Sequence, residues 1–307
     1  MTSITLPQEL SFKVVCGDAR KVLKKIPSGT INAVVTSPPY WGLRTYGHDD
    51  ELGKEETFDE YLTSLLDVFR EVWRVLDDGG VMWLVLGDSY TSGNRRYRAA
   101  DKKFPARGMT YRPRTPLGLK QKELIGLPWR VAFALQAQGW FLRTDVVWAK
   151  PNPMPEVVKD RPHRSHEFIF MLTKSPNYFF DTEAFKHPTV GGGQFSRSVW
   201  SIPVGQRQTG HPAAFPLDLV VPCIVSSTKP LGLVLDPFTG SSSVGLACLR
   251  IGRRFLGIEV VPEFALASRK SLRKLQKQNE LANFSRTRSS AASLRKATQF
   301  DMPEKTA

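Results

Sequence analysis

The chain has 307 residues, 41% of them hydrophobic and 23% charged, with a formal net charge of +14. That apolar content can bury a full core, which sets aside disordered and fibrous classes and makes one large α/β domain the default. No run of 18 apolar residues offers a membrane span, MTSITLPQELSF lacks the order of a signal peptide, and Cys16, Cys223 and Cys248 have no CxxC spacing. All three cysteines lie in apolar stretches and read as reduced core residues. A cytoplasmic protein with no metal site is expected.

The charge is unevenly spread. Between Asn94 and Lys122 ten Lys/Arg stand against one acid, and from Arg269 to the end ten stand against three. The remainder is close to neutral, a distribution that suits a polyanion held against particular surfaces. Residues 281–307 read as a disordered basic tail, leaving 1–280 as the folded domain.

Phe12–Val15 reads as a strand, ARKVLKKIP as a helix with Val22, Leu23 and Ile26 on one face, and Ile31–Thr36 as a strand apolar on both faces. FDEYLTSLLDVFREVWRVLDDGG has helical spacing and is expected to stop at Gly79-Gly80; VMWLVLGDSY follows as a strand. This β-α-β-α-β alternation implies a parallel sheet with crossover helices. Residues 91–122 break the rhythm as a basic inserted loop. IGLPWRVAFALQAQGW then reads as a helix, LRTDVVWAK as a strand, and HEFIFMLTKSPNYFFD as a strand and turn. Residues 182–210 are polar and Gly-rich, and 232–276 read strand, Gly/Ser turn, helix, strand, helix.

The turn in LVLDPFTGSSSVGLACLRIG puts small residues at a helix N-terminus, where a ligand can approach backbone N–H groups. It has neither the lysine of a phosphate-binding loop nor a GxGxxG fingerprint, and Asp236 at the strand end would repel a pyrophosphate. An acid there suits a ligand that brings positive charge. S-adenosylmethionine has an ammonium and a sulfonium and no phosphate. Glu259, 19 residues after Gly240 and at the end of the next strand, is placed to accept ribose hydroxyls.

TSPPYW ends the Ile31–Thr36 strand with two prolines, which cannot continue a sheet. Such an elbow holds acceptors rigidly. An exocyclic base amine is a poor nucleophile because its lone pair is delocalised, and acceptors for its hydrogens turn nitrogen density toward a methyl donor. Ser37 and a backbone carbonyl beside Pro38-Pro39 could be those acceptors, and Tyr40 a stacking face for an extruded base. Trp41 would support the pocket.

TSPPY together with DPFTGSSSV resembles the amino-directed DNA methyltransferases, whose signatures are Ser, Asp or Asn before Pro-Pro-Tyr/Phe, and D-P-F-x-G-S-G. Ser242 stands where the second has glycine. Having the catalytic motif early and the cofactor motif late resembles the β group of that family. The resemblance covers roughly 12–275, including WAKPNPMPE and RSHEFIFMLTKSPNYFFD. It implies a Rossmann-like S-adenosylmethionine-dependent fold, a doubly wound, mostly parallel sheet with the basic loop inserted. It implies catalysis by Ser37, Pro38, Pro39 and Tyr40, and cofactor binding by Asp236, Phe238, Gly240, Ser241 and Glu259. CGDA adds Asp18 at the adenine, and GHPAAFP, just before the cofactor strand, adds His211, Phe215 and Pro216 at the methionine end.

Serine in the first motif position is typical of the cytosine-N4 enzymes and aspartate of adenine-N6. Cytosine-N4 transfer in a short duplex site is therefore expected, by base flipping and without a covalent intermediate. Adenine-N6 transfer, RNA methylation and a silent DNA-binding protein are the alternatives. Pro222-Cys223 is read as core rather than as the nucleophile of a cytosine-C5 enzyme. DNA contacts are expected from Arg95, Arg96, Arg98, Lys102, Lys103, Arg107, Arg112 and Arg114 in the insert and Arg197 in the candidate recognition segment 182–210. His163, Arg164 and His166 form no metal set and are read as structural or near the DNA channel. Double-stranded DNA is the expected partner, with a cognate restriction endonuclease and a homodimer also consistent with the resemblance.

Overall fold

Along residues 81–86, Val81, Trp83 and Val85 turn to one side while Met82, Leu84 and Leu86 turn to the other, and all six are buried. A strand apolar on both faces needs helices on both faces. The computed structural model supplies them; it describes residues 3–91, 97, 113–186, 194–204 and 215–299. The strands are β1 (Phe12–Cys16), β2 (Ile31–Thr36), β3 (Leu76–Leu86), β4 (Phe141–Ala149), β5 (His166–Thr173), β6 (Val199–Ser201), β7 (Leu233–Asp236) and β8 (Arg254–Glu259). They form one sheet in the order β1-β8-β7-β2-β3-β5-β4-β6, with every neighbouring pair parallel except those made by β5.

The helices are α1 (Ala19–Val22), α2 (Phe58–Val75), α3 (Leu127–Ala137), α4 (Thr182–Lys186), α5 (Leu217–Ser227), α6 (Ser243–Arg250) and α7 (Pro262–Gln299). α1, α2 and α3 cover one face of the sheet; α5, α6 and the first turns of α7 cover the other. α2 starts with a capping box, Thr57 and Glu60 each satisfying the other's backbone N–H, and buries Phe58, Tyr61, Leu65, Val68, Phe69, Val72 and Val75. On the opposite face the Trp83 indole donates to Ser227 Oγ at 2.7 Å, so that large buried ring leaves no polar atom stranded.

Four elements differ from the sequence expectation. α2 stops at Val75 instead of Gly79-Gly80, because Leu76 turns extended and pairs with Ile31, so β3 begins five residues before Val81. The apolar stretch around Cys223 is a helix, α5, despite Pro222 inside it, and in the chain it stands between GHPAAFP and β7. Residues 199–201 of the polar segment form the edge strand β6, anchored by buried Trp200. Helix α7 carries on to Gln299, through most of the stretch expected to be an unstructured tail. Cys16 is exposed, whereas Cys223 and Cys248 are buried as expected.

The turn after β7 holds a local strain. Ser242 has φ 65° and ψ 35°, the left-handed region that disfavours a side chain, and its buried hydroxyl has no hydrogen-bond partner. Ser242→Gly relieves both costs, and Gly245, whose added Cβ would lie 2.6 Å from that hydroxyl, shows how tightly the serine is packed. The variant is expected to gain about 1 kcal/mol, read as a higher midpoint in urea unfolding at unchanged slope.

Candidate active site

The chain leaves β2 toward β3 on one side of the sheet and leaves β7 toward β8 on the other, although β2 and β7 are neighbours. Loops that part in this way open a crevice at the carboxyl ends of the strands. A cleft of about 1050 Å³ lies there, lined by both sequence motifs. The strand ends are joined beneath it: the Thr36 hydroxyl donates to Asp236 Oδ1 at 2.7 Å, and Ala33 and Val34 pair with Val234 and Leu235.

One half of the cleft is acidic and closely packed. Asp236 also accepts from the Phe238 N–H at 3.0 Å, and Glu259 accepts from the N–H groups of Gly240 at 2.7 Å and Val261 at 2.9 Å. Burial raises the Asp236 carboxyl to about 7, and burial likewise raises Glu259. The residues lining the cleft at 17–19, 236–243 and 259–264 include no Lys or Arg. Two desolvated carboxyls held by backbone N–H groups fit a phosphate-free, positively charged ligand such as S-adenosylmethionine. α7 braces this half, the Ser268 hydroxyl donating to the Gly240 carbonyl at 2.7 Å.

The other half holds the elbow. Ser37, Pro38, Pro39 and Tyr40 all line the cleft. The Pro39 carbonyl accepts from Tyr61 Oη at 2.9 Å and the Tyr40 carbonyl from the Leu43 N–H at 3.2 Å, so both are already engaged. Ser37 Oγ donates to Tyr40 Oη at 3.1 Å, Tyr40 Oη donates to Glu167 Oε2 at 3.0 Å, and Glu167 Oε1 is tightly paired with Lys150. Burial, then the Glu167 charge, holds the Tyr40 hydroxyl well above its usual range. Gly87, at the end of β3, is required here: a Cβ would lie 2.7 Å from the Tyr40 ring and 3.3 Å from Glu167.

Asp236, Phe238, Gly240, Ser241, Glu259, Asp18 and Phe215 line the same cleft. The Asp18 carboxylate caps α1 through the Arg20 N–H at 2.9 Å and pairs with the Arg20 guanidinium, so its side chain is engaged within the fold. Pro216 is the residue before α5 and is not among the cleft residues. Arg114 and Arg197 are exposed and outside the cleft, Arg197 just before the edge strand β6. His211, Arg95, Arg96, Arg98, Lys102, Lys103, Arg107 and Arg112 lie outside the described residues.

Trp41 is buried behind the elbow, its indole donating to the Glu55 carbonyl at 2.9 Å. Cys223 is buried in α5 with its thiol pushed far up by burial, which suits core packing and not a nucleophile. Arg164 and His166 line the cleft, and among the described residues no group of His, Cys, Asp and Glu could hold a metal ion. Lys150, Glu167, Gly87 and Thr36 were not singled out by sequence. Lys150 and Glu167 lie within WAKPNPMPE and RSHEFIFMLTKSPNYFFD, and Glu167 is a charged residue near the start of an otherwise apolar strand.

Asp236 makes the unliganded protein pH-sensitive. Its carboxyl is raised in the fold, so the folded state holds its proton where the unfolded chain has lost it. Stability from this group is full below about 4 and is lost as pH rises toward 7. Urea midpoints are expected to fall between pH 5 and 8, and Asp236→Asn to flatten that slope.

The chain matches the family model described as DNA methylase over residues 31–270. It is 56% identical over 249 residues to the type II methyltransferase M.XycI of Xanthomonas campestris pv. cyanopsidis, covering 81% of this chain and 83% of that one. It is 47% identical over 268 residues to M.SmaI of Serratia marcescens, covering 86% and 92%. Among solved structures, TTHA0409 of Thermus thermophilus, a putative DNA modification methylase complexed with S-adenosyl-L-methionine, superposes with a TM-score of 0.62 at 27% identity, covering 86% and 94%. The cytosine-N4-specific PvuII DNA methyltransferase has the same fold, with a TM-score of 0.62 at 22% identity, covering 87% and 86%. With both motifs on one cleft at the switch point of a doubly wound sheet, the chain belongs to the amino-directed N6/N4 DNA methylases, S-adenosylmethionine-dependent enzymes of the type II restriction-modification kind.

Proposed function

We propose that this enzyme methylates the N4 amine of cytosine, flipped out of a short duplex site. The observation that carries this reading is Ser37: a neutral hydroxyl stands in the first motif position, on the cleft wall, with its hydrogen directed away to Tyr40. A hydroxyl so oriented has lone pairs left to accept an amine hydrogen. Pro38 offers the carbonyl beside it, and Tyr40 a ring face for the base. Asp236, Phe238, Gly240, Ser241, Glu259, Asp18 and the 211–216 segment hold the cofactor. When bound, S-adenosylmethionine supplies an electrophilic methyl group on sulfur. Ser37 and the Pro38 carbonyl would hold the amine hydrogens so that the nitrogen lone pair is turned toward that methyl group. No covalent enzyme intermediate is needed, in keeping with Cys223 being buried in α5.

Residues 1–280 form the catalytic domain in this reading. The basic stretch 91–122 and Arg197 in 182–210 hold phosphate or read bases. A cognate restriction endonuclease, a homodimer and a cytoplasmic location complete it; among the described residues no helix is long and apolar enough to cross a membrane.

Labelled S-adenosylmethionine incubated with the enzyme and mixed genomic DNA, with digestion to nucleosides, is expected to leave label on N4-methylcytosine. Label on N6-methyladenine would keep the family and overturn the target. Ser37→Ala is expected to bind cofactor normally and lose at least about 100-fold in kcat, on the order of an oxyanion-type donor or acceptor. Cofactor affinity should rise from about pH 5.5 to 7.5 as Asp236 ionises beside the cationic ligand, and Asp236→Asn should remove that dependence.

A further inference from the structure

The chain of groups behind Ser37 has only one consistent polarity. Lys150 is a donor alone, with its ammonium also 4.3 Å over the Trp148 ring. Glu167, paired with it, is an acceptor alone, and the two side chains are only 16% and 19% exposed. The Tyr40 hydroxyl, 3.0 Å from Glu167 Oε2, must therefore spend its single hydrogen on Glu167. Its oxygen is then an acceptor toward Ser37, 3.1 Å away, and the Ser37 hydrogen is drawn to it. What remains on Ser37 Oγ is acceptor capacity. A serine hydroxyl in isolation can donate or accept; this one has its sense imposed from three side chains away. Ionisation of Tyr40 would break its bond to Glu167 while leaving the Ser37 hydrogen drawn to the phenolate, and burial, then the Glu167 charge, disfavours it.

We propose that Glu167, held by Lys150, is a positioning residue that sets the direction of the Tyr40–Ser37 hydrogen bonds so that Ser37 presents only lone pairs to the target amine. The inference rests on the reading of Ser37 as the amine acceptor. It assigns no contact between Glu167 and the base, and it holds for a cytosine or an adenine amine alike.

The isosteric substitution Glu167→Gln inverts the chain. Lys150 would claim the introduced amide's oxygen, which leaves the NH₂ facing Tyr40. The Tyr40 hydrogen would then turn to Ser37, whose own hydrogen would meet the amine. Tyr40→Phe instead keeps the ring and cuts the chain, freeing the Ser37 hydroxyl to rotate. Steady-state rates with S-adenosylmethionine and genomic DNA are expected to show kcat lowered about 30-fold in Glu167→Gln and about 5-fold in Tyr40→Phe. KM for S-adenosylmethionine should change less than about twofold in both. The double variant should match Tyr40→Phe, so that adding the second substitution restores about sixfold of the activity lost in Glu167→Gln. Loss of packing or of charge alone cannot produce that rescue.

Wild-type kcat in Glu167→Gln, or a double variant no faster than Glu167→Gln, overturns the inference. If Glu167→Gln fails to fold, as a circular dichroism melt would show, Tyr40→Phe decides alone, and kcat equal to wild type overturns it. Ser37→Ala separates the two levels. An inactive Ser37→Ala beside an unaffected Glu167→Gln sinks only the role of Glu167, whereas an active Ser37→Ala sinks the acceptor reading beneath it.

Discussion

The 2.7 Å hydrogen bond from the Thr36 hydroxyl to the Asp236 carboxylate ties together residues 200 positions apart, and the site depends on it. Thr36 is the last residue of β2 and Asp236 the last of β7, so the bond fixes the distance between the Pro-Pro elbow and the Gly/Ser loop. It forms in a dry place, both side chains being at most 2% exposed. In such surroundings a hydroxyl donor is worth more than in water, and an unmet carboxylate would be costly. Bond-forming chemistry between two bound molecules needs their carriers held to a fraction of an ångström. Strand pairing of β2 with β7 and this one bond hold the two strand ends together.

A second constraint comes from the direction of β5. Seven strands point their carboxyl ends at the cleft, and β5, antiparallel to its neighbours, points its amino end there instead. The first two residues of β5, His166 and Glu167, thus meet Lys150, which comes directly after the last residue of β4. Without the reversed strand Glu167 would sit at the far edge of the sheet. Gly87 completes the arrangement by leaving the space of one methyl group, which the Tyr40 ring and the Glu167 side chain share.

The two halves of the cleft hold their charge in different ways. Around Asp236 and Glu259 the strand-end loops contribute carboxyls, small residues and backbone N–H groups, with no Lys or Arg of their own. On the side of the elbow Lys150, Arg161 and Arg164 each face an acid of the same cleft wall, Glu167, Glu156 and Asp88. Arg161 is stacked 3.7 Å from the Tyr90 ring and paired with Glu156, which fixes it in the cleft wall.

By itself the sequence determined the fold class, the strand-end location of both motifs and the chemistry each can support. Those properties are local: Ile31–Thr36 and Leu233–Asp236 are continuous apolar runs, and the prolines at 38–39 and the small residues at 240–243 decide how the chain leaves each strand. It misplaced the end of α2, since Leu76 has helical spacing with Val72 but is taken by pairing to Ile31. It also left α5 unassigned, because Pro222 argues against a helix that burial on the sheet stabilises. Only the tertiary structure decided that Thr36 bonds Asp236, that β5 runs backward, and that Glu167 and Lys150 stand behind Tyr40. Each of these rests on contacts between residues 17 to 200 positions apart, which no periodicity within a single element encodes.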